Sequence, residues 1–120
     1  MIDAIERFEV TPRMSRIVRH AGIVYLCGQT AAGSAALDIT SQTREALSRV
    51  DTHLKNAGSD RTRILSAVIH LRDISDFSAM NQVWEEWLPA GKAPARTTVE
   101  AKLASPNLLF EVTIVAAEAS

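Results

Sequence analysis

The sequence predicts an α+β fold, a mixed sheet with two helices on one face. Three observations predict it. Strand-like runs gather at both ends of the chain. Helical periodicity is confined to two middle segments, so strands and helices alternate only there. Two of the strand runs are apolar on both sides, which asks for burial of both sheet faces. The expected order is β-β-β-α-β-α-β-β within a single domain, residues 1–120.

The elements follow in chain order. Ile5 to Val10 reads as a strand, punctuated by Thr11-Pro12-Arg13. Ser15 to His20 and the β-rich run Ile23-Val24-Tyr25-Leu26-Cys27 flank Ala21-Gly22, a tight-turn signal, and so form a hairpin ending at Gly28. Ala31 to Leu37 reads as a loop. Thr40 is the expected N-cap of a helix whose apolar residues Ala46, Leu47, Val50 and Leu54 recur at helical spacing. Asn56-Ala57-Gly58 is its stop signal. Ile64 to Leu71 is a strand, and Asp73-Ile74-Ser75-Asp76 offers caps for a second helix. That helix has the apolar face Phe77, Met80, Val83, Trp84, Trp87 and Leu88, and Pro89 and Gly91 end it. Ala95 to Leu103 is a strand, Ser105-Pro106-Asn107 a turn, and Leu108 to Ala117 the last strand.

Two helices cover one sheet face only. In Ile64–Leu71, Leu65, Ala67, Ile69 and Leu71 are expected on one side, with Ile64 and Val68 on the other. The last strand divides Leu108, Phe110, Val112, Ile114 and Ala116 from Leu109, Glu111, Thr113, Val115 and Ala117. An uncovered apolar face is an exposed patch, so sheets of several subunits are expected to pack together as a cyclic homo-oligomer.

Composition narrows the function classes. Apolar residues make up 47% and charged residues 22%, the balance of a soluble globular protein. The formal net charge of −1 gives no reason to expect nucleic acid or an anionic membrane as partner. No apolar run approaches a membrane span, and Met1 to Arg7 has no apolar signal-peptide core, so a cytoplasmic location is expected. The single cysteine, Cys27, excludes an intrachain disulfide.

His20, His53 and His70 stand far apart without HxxxH, HxH or CxxC spacing, so no metal site is expected. There is no glycine-rich phosphate loop and no G-x-S-x-G elbow. Cys27 reads either as a buried small hydrophobe or as a residue at a pocket mouth. Arg13, Arg16, Arg19, Arg61 and Arg63 read as solvated surface charge rather than a nucleic-acid patch. Trp84 and Trp87 read as helix core.

Arg96 is different. It follows Pro94-Ala95 at a strand start, among the short neighbours Ala95, Thr97 and Thr98, which leave room beside its guanidinium. That planar fork matches the two oxygens of a carboxylate. Glu111 is the only charged residue between Lys102 and Glu118, in an apolar strand, where a carboxylate must be paired or functional. If the last two strands pair as a hairpin, Arg96 and Glu111 lie on neighbouring strands. Spacing leaves two readings open: a ligand anchor, or a structural Arg–Glu salt bridge.

These residues resemble the Rid family, the reactive intermediate deaminases also called YjgF-like, over nearly the whole chain. The core of the resemblance is Pro94-Ala95-Arg96-Thr97-Thr98-Val99-Glu100 with Leu109-Phe110-Glu111-Val112. Gly28-Gln29 is similar to the family's S-G-Q segment, and Phe77-Ser78-Ala79-Met80-Asn81 with Trp84 to its D-F-x-x-[VM]-N helix. The second half most resembles the YoaB-like branch. The resemblance implies a chorismate-mutase-like fold and a homotrimer with an inner barrel and three ligand clefts between subunits. It implies hydrolysis of enamines and imines of 2-amino acids, such as 2-aminoacrylate, to 2-ketoacids and ammonia, without metal or cofactor. Arg96 would hold the substrate carboxylate, Glu111 would orient or activate the attacking water or relay a proton, Asn81 would support the cleft, and backbone groups near Thr98 would bind the water or leaving amine.

There are departures. Thr98 stands where the family usually has cysteine, Cys27 where it has serine, and Pro12-Arg13-Met14-Ser15 only loosely matches its Gly-Pro-Tyr segment, with Met14 near the missing aromatic. Two other functions stay open: a non-catalytic binder of small carboxylate metabolites at the same cleft, and an RNA-cleaving or translation-inhibiting protein.

Overall fold

The computed structural model describes residues 4–119. The first three residues of the Met1–Arg7 stretch read above lie outside them. The strands are β1 (Ile5–Val10), β2 (Ser15–His20), β3 (Ile23–Leu26), β4 (Ile64–Leu71), β5 (Ala95–Glu100) and β6 (Phe110–Ala117). The helices are α1 (Ile39–Asn56) and α2 (Phe77–Trp87). The element order and α+β class are those expected from sequence. Cys27, Leu103 and Leu108 fall outside the strands that were expected to include them.

All six strands form one sheet in the order β1-β2-β3-β6-β4-β5. Only β4 and β5 are parallel, joined by a crossover through α2. The β2–β3 hairpin turns through Ala21 and Gly22, both at positive φ (52° and 80°). A two-residue turn with that backbone matches the twist of the flanking strands.

Both helices pack on one sheet face. Ile17, Val24, Ala67, Ile69, Leu71, Phe110, Val112 and Ile114 from the sheet meet Ala46, Leu47, Val50, Leu54, Met80 and Val83 from the helices. The burial of β6 alternates as the sequence predicts, with Phe110, Val112, Ile114 and Ala116 inside. In β4 it does not. The register with β6 shifts between Ile64 and Ser66. This bulge turns Ile64 into the core and Leu65 out, to 47% exposure, reversing the sides expected for the two. The face away from the helices carries Tyr25, Val68 and Val99, all substantially exposed.

Asp38, and not Thr40, caps α1: its Oδ1 accepts from the Ser41 amide at 2.7 Å. The helix starts at Ile39, two residues earlier than a Thr40 cap permits, because the carboxylate upstream reaches the free amides of the first turn. Asp73 caps a short 3-10 turn, Ile74–Asp76, that leads into α2. No helix among the described residues is long and apolar enough to cross a membrane.

Candidate functional site

Arg96 lies on β5, the edge strand, opposite Ala67 of β4. Parallel neighbours share a face, and Ala67 is buried, so Arg96 projects to the helix side. Three residues of α2 receive it. Its Nη1 donates to Asn81 Oδ1 at 2.7 Å. Its guanidinium carbon lies 5.6 Å from the Phe77 ring centroid and 5.7 Å from that of Trp84. Residues 77, 81 and 84 form one helical stripe. Burial pulls the Arg96 pKa below its ordinary value, opposed by the charge of Glu85. An arginine stays charged regardless. A cleft of about 390 Å³ opens beside it, lined by Trp84, Glu85, Leu88, Pro89, Pro94 and Arg96.

Thr98 stands two residues along the same face, opposite Ile69. Its Oγ1 is buried and has no hydrogen-bond partner among the described residues. Arg96, Asn81 and Thr98 are therefore brought together at the helix side of the β5 edge.

Glu111 belongs to another neighbourhood. It sits on β6 between buried Phe110 and Val112, so it projects from the opposite face, with His70 as its partner on β4. Its carboxylate lies against Gly28. The segment bearing Gly28 is fixed on both sides. The Cys27 amide donates to Arg16 O at 3.0 Å, and Gln29 exchanges two backbone hydrogen bonds with Val112, at 2.8 and 3.0 Å. The Gln29 side chain donates to Cys27 O at 3.1 Å and to Cys27 Sγ at 3.3 Å. Burial pushes the Cys27 thiol pKa up, and the nearby Arg16 charge opposes this. The thiol is free and half-buried.

The expected hairpin of the last two strands does not form. β4 pairs with both β5 and β6, and so separates Arg96 from Glu111. The salt-bridge reading of the two falls with it: none of the ion pairs among the described residues contains either. The physical reason is the parallel crossover through α2, which carries β5 to the sheet edge. Met14, in the β1–β2 turn, is 47% exposed and joins its turn through its carbonyl, which accepts from the Thr11 amide.

Sequence reasoning missed two walls of the Arg96 site. Phe77 and Trp84 were assigned to helix core, and Trp84 is indeed buried, yet both rings face the guanidinium. The signal was the shared stripe with Asn81. Among the arginines read as surface charge, Arg16 pairs with Glu9, Arg19 with Glu6 and Glu118, and Arg61 with Asp51. Their charge is largely answered within the chain.

A family model described as Endoribonuclease L-PSP matches residues 4–118. The RutC family protein YoaB of Escherichia coli is 40% identical over 113 residues, 94% of this chain and 97% of that protein. The 3-aminoacrylate deaminase RutC of Acinetobacter baylyi is 38% identical over 79 residues, 66% of this chain and 62% of that one. The crystal structure of a YjgF-family member from Neisseria meningitidis matches with a TM-score of 0.96 at 38% identity, covering 100% of this chain and 99% of that one.

Proposed function

The chain belongs to the endoribonuclease L-PSP family, that of the YjgF and Rid proteins, and on that premise we propose that it hydrolyses enamines and imines of 2-amino acids to 2-ketoacids and ammonia. The observation that carries this reading is the mounting of Arg96. Asn81 holds one guanidinium nitrogen, Phe77 and Trp84 flank the group, and a cleft opens beside it. Such a fork binds the carboxylate that every 2-imino acid carries. The deaminase named among the relatives acts on 3-aminoacrylate, a small amino-substituted carboxylate, which supports the same ligand class.

The reaction needs a water molecule delivered to C2 of the imine. Glu111 takes a proton from that water as its oxygen bonds to C2. Glu111 passes that proton to the imine nitrogen, giving a carbinolamine; as the C–N bond breaks, the hydroxyl proton follows by the same route to nitrogen, so ammonia leaves and the 2-ketoacid remains. Arg96 fixes the substrate through its carboxylate, so the attack becomes effectively intramolecular.

Arg96 and Glu111 leave opposite faces of one sheet and stand two strands apart, roughly 10 Å by strand spacing alone. They meet when Arg96 of one protomer faces Glu111 of another. A homotrimer with its clefts between subunits satisfies this, and it also buries the face carrying Tyr25, Val68 and Val99.

The test is ketoacid release from 2-aminoacrylate, or from imines made by an amino-acid oxidase, with wild type beside Arg96→Ala. Release no faster than in buffer, or undiminished by the substitution, sinks the proposal. Arg96-dependent binding of 2-ketoacids without turnover would identify a carboxylate-binding module instead.

A further inference from the structure

Gly28 differs from the other four glycines of the chain. Gly22, Gly33, Gly58 and Gly91 all have positive φ, where a side chain is strained; Gly28 does not. Its backbone would accept any residue, so what it requires is empty space. The three atoms nearest to a Cβ built there all belong to the Glu111 side chain. Cγ would lie at 3.2 Å, Cδ at 2.8 Å, and Oε2 closer still. Real Cβ atoms essentially never come within 3.0 Å of a neighbour.

The backbone at Gly28 has little freedom to retreat. Cys27 is bonded to β2 on one side and Gln29 to β6 on the other. Gln29 also braces Cys27 through its side chain. Glu111 Cα is equally fixed, on a β6 strand paired with β4 and bounded by fully buried Phe110 and Val112. Between two pinned backbones, only the carboxylate is able to move. With no side chain at position 28 it rests against the Gly28 backbone. With any side chain there it must swing away.

We infer that Gly28 is the seat of the Glu111 carboxylate, a positioning residue whose missing side chain sets where that carboxylate stands. The consequence for turnover rests on the imine-hydrolase reading above; the seat itself does not. Glu111 works on a water that must stand near C2 of a substrate anchored by its other end on Arg96. A displacement of about 1 Å in such a site costs roughly 100-fold in rate.

Two measurements test this. The first is the crystal structure of Gly28→Ala, with Gly28→Ser as a second carrier of the same Cβ. Glu111 Cδ must retreat from 2.8 Å to at least 3.4 Å, ordinary van der Waals distance, while the Cys27–Gln29 backbone stays in place. An unmoved Glu111 with a displaced loop overturns the inference. The second is a kinetic cycle of wild type, Gly28→Ala, Glu111→Gln and the double variant. Gly28→Ala should lower kcat roughly 100-fold with KM within about twofold. In the Glu111→Gln background it should change kcat little, because the group it displaces no longer acts as a base. A Gly28→Ala enzyme with wild-type kcat, or an undiminished loss in the Glu111→Gln background, overturns the inference. A wild type without ketoacid release sinks the proposed reaction, and the position of Glu111 in the Gly28→Ala crystal then decides the seat by itself.

Discussion

Arg96 and Glu111 project from opposite faces of one sheet with β4 between them: Ala67 is the β4 partner of Arg96, and His70 that of Glu111. Neither side chain reaches the other within a protomer. Under the proposed reaction, chemistry that uses both would draw on a second copy of the chain and so would link catalysis to assembly.

Mixed oligomers test that link directly. Arg96→Ala and Glu111→Gln are each expected to lose most of their activity while keeping a small measurable residue. Unfolded together and refolded, they should recover activity, because a cleft that draws Arg96 from one variant and Glu111 from the other is intact. Random assembly makes about a quarter of the clefts so. Absence of recovery between two well-folded variants that co-assemble would sink the shared cleft. Sedimentation as a monomer at micromolar concentration would remove the basis of the assembly altogether.

Asn81 holds Arg96 Nη1 at 2.7 Å, while the rings of Phe77 and Trp84 flank the guanidinium. A hydrogen bond to a charged group contributes about 1.5–3 kcal/mol. Asn81→Ala should therefore lower kcat/KM for imine hydrolysis roughly 10-fold to 100-fold. Asn81→Asp, which keeps an acceptor but adds a charge that competes for the guanidinium, should weaken substrate binding, read as a raised KM. Unchanged kinetics in both variants would show that the aromatic walls alone hold the arginine.

Ala21 adopts φ 52° in the β2–β3 turn, where an L-residue other than asparagine, aspartate or glycine is disfavoured. Ala21→Asn should stabilise the fold by about 0.5–1 kcal/mol and raise Tm by a few degrees. A lowered Tm would mean that the methyl group makes a contact that outweighs the backbone strain.

Three capping carboxylates contribute to the acid side of stability. The Ser41 amide and hydroxyl hold the Asp38 carboxyl below the usual range. The Thr62 hydroxyl and amide do the same for Asp60, and Ser75 for Asp73. A carboxyl depressed by folding adds stability above its unfolded pKa and loses it as pH falls through the folded value. The urea midpoint should therefore decline on acidification below the ordinary carboxylate range. Asp38→Asn keeps a capping acceptor that does not titrate, so its midpoint should approach that of wild type as the pH falls. A constant gap between the two at every pH would contradict the capping role.

Much of the fold was legible because it is local. The alternation in β6, the stripes of α1 and α2, and the turn at Ala21-Gly22 are periodicities and backbone preferences that neighbouring residues set among themselves. Arg96 stood out by the same logic, through its short neighbours and rigid lead-in, as either a ligand anchor or half of a salt bridge; the family resemblance favoured the anchor. Pairing between distant strands is not local. Nothing in the sequence near Glu111 says that β6 enters between β3 and β4, or that α2 carries β5 to the edge. The expected hairpin of the last two strands, which would have made Arg96 and Glu111 neighbours, does not form for that reason. The bulge at Leu65 depends likewise on register with β6. The sequence by itself marked Arg96 and Glu111 as the candidates for chemistry and determined the elements that bear them. The tertiary structure decided their faces: it set Arg96 among Phe77, Asn81 and Trp84, and laid the Glu111 carboxylate on Gly28. Those contacts join segments far apart in the chain, and only the packed core brings such segments together.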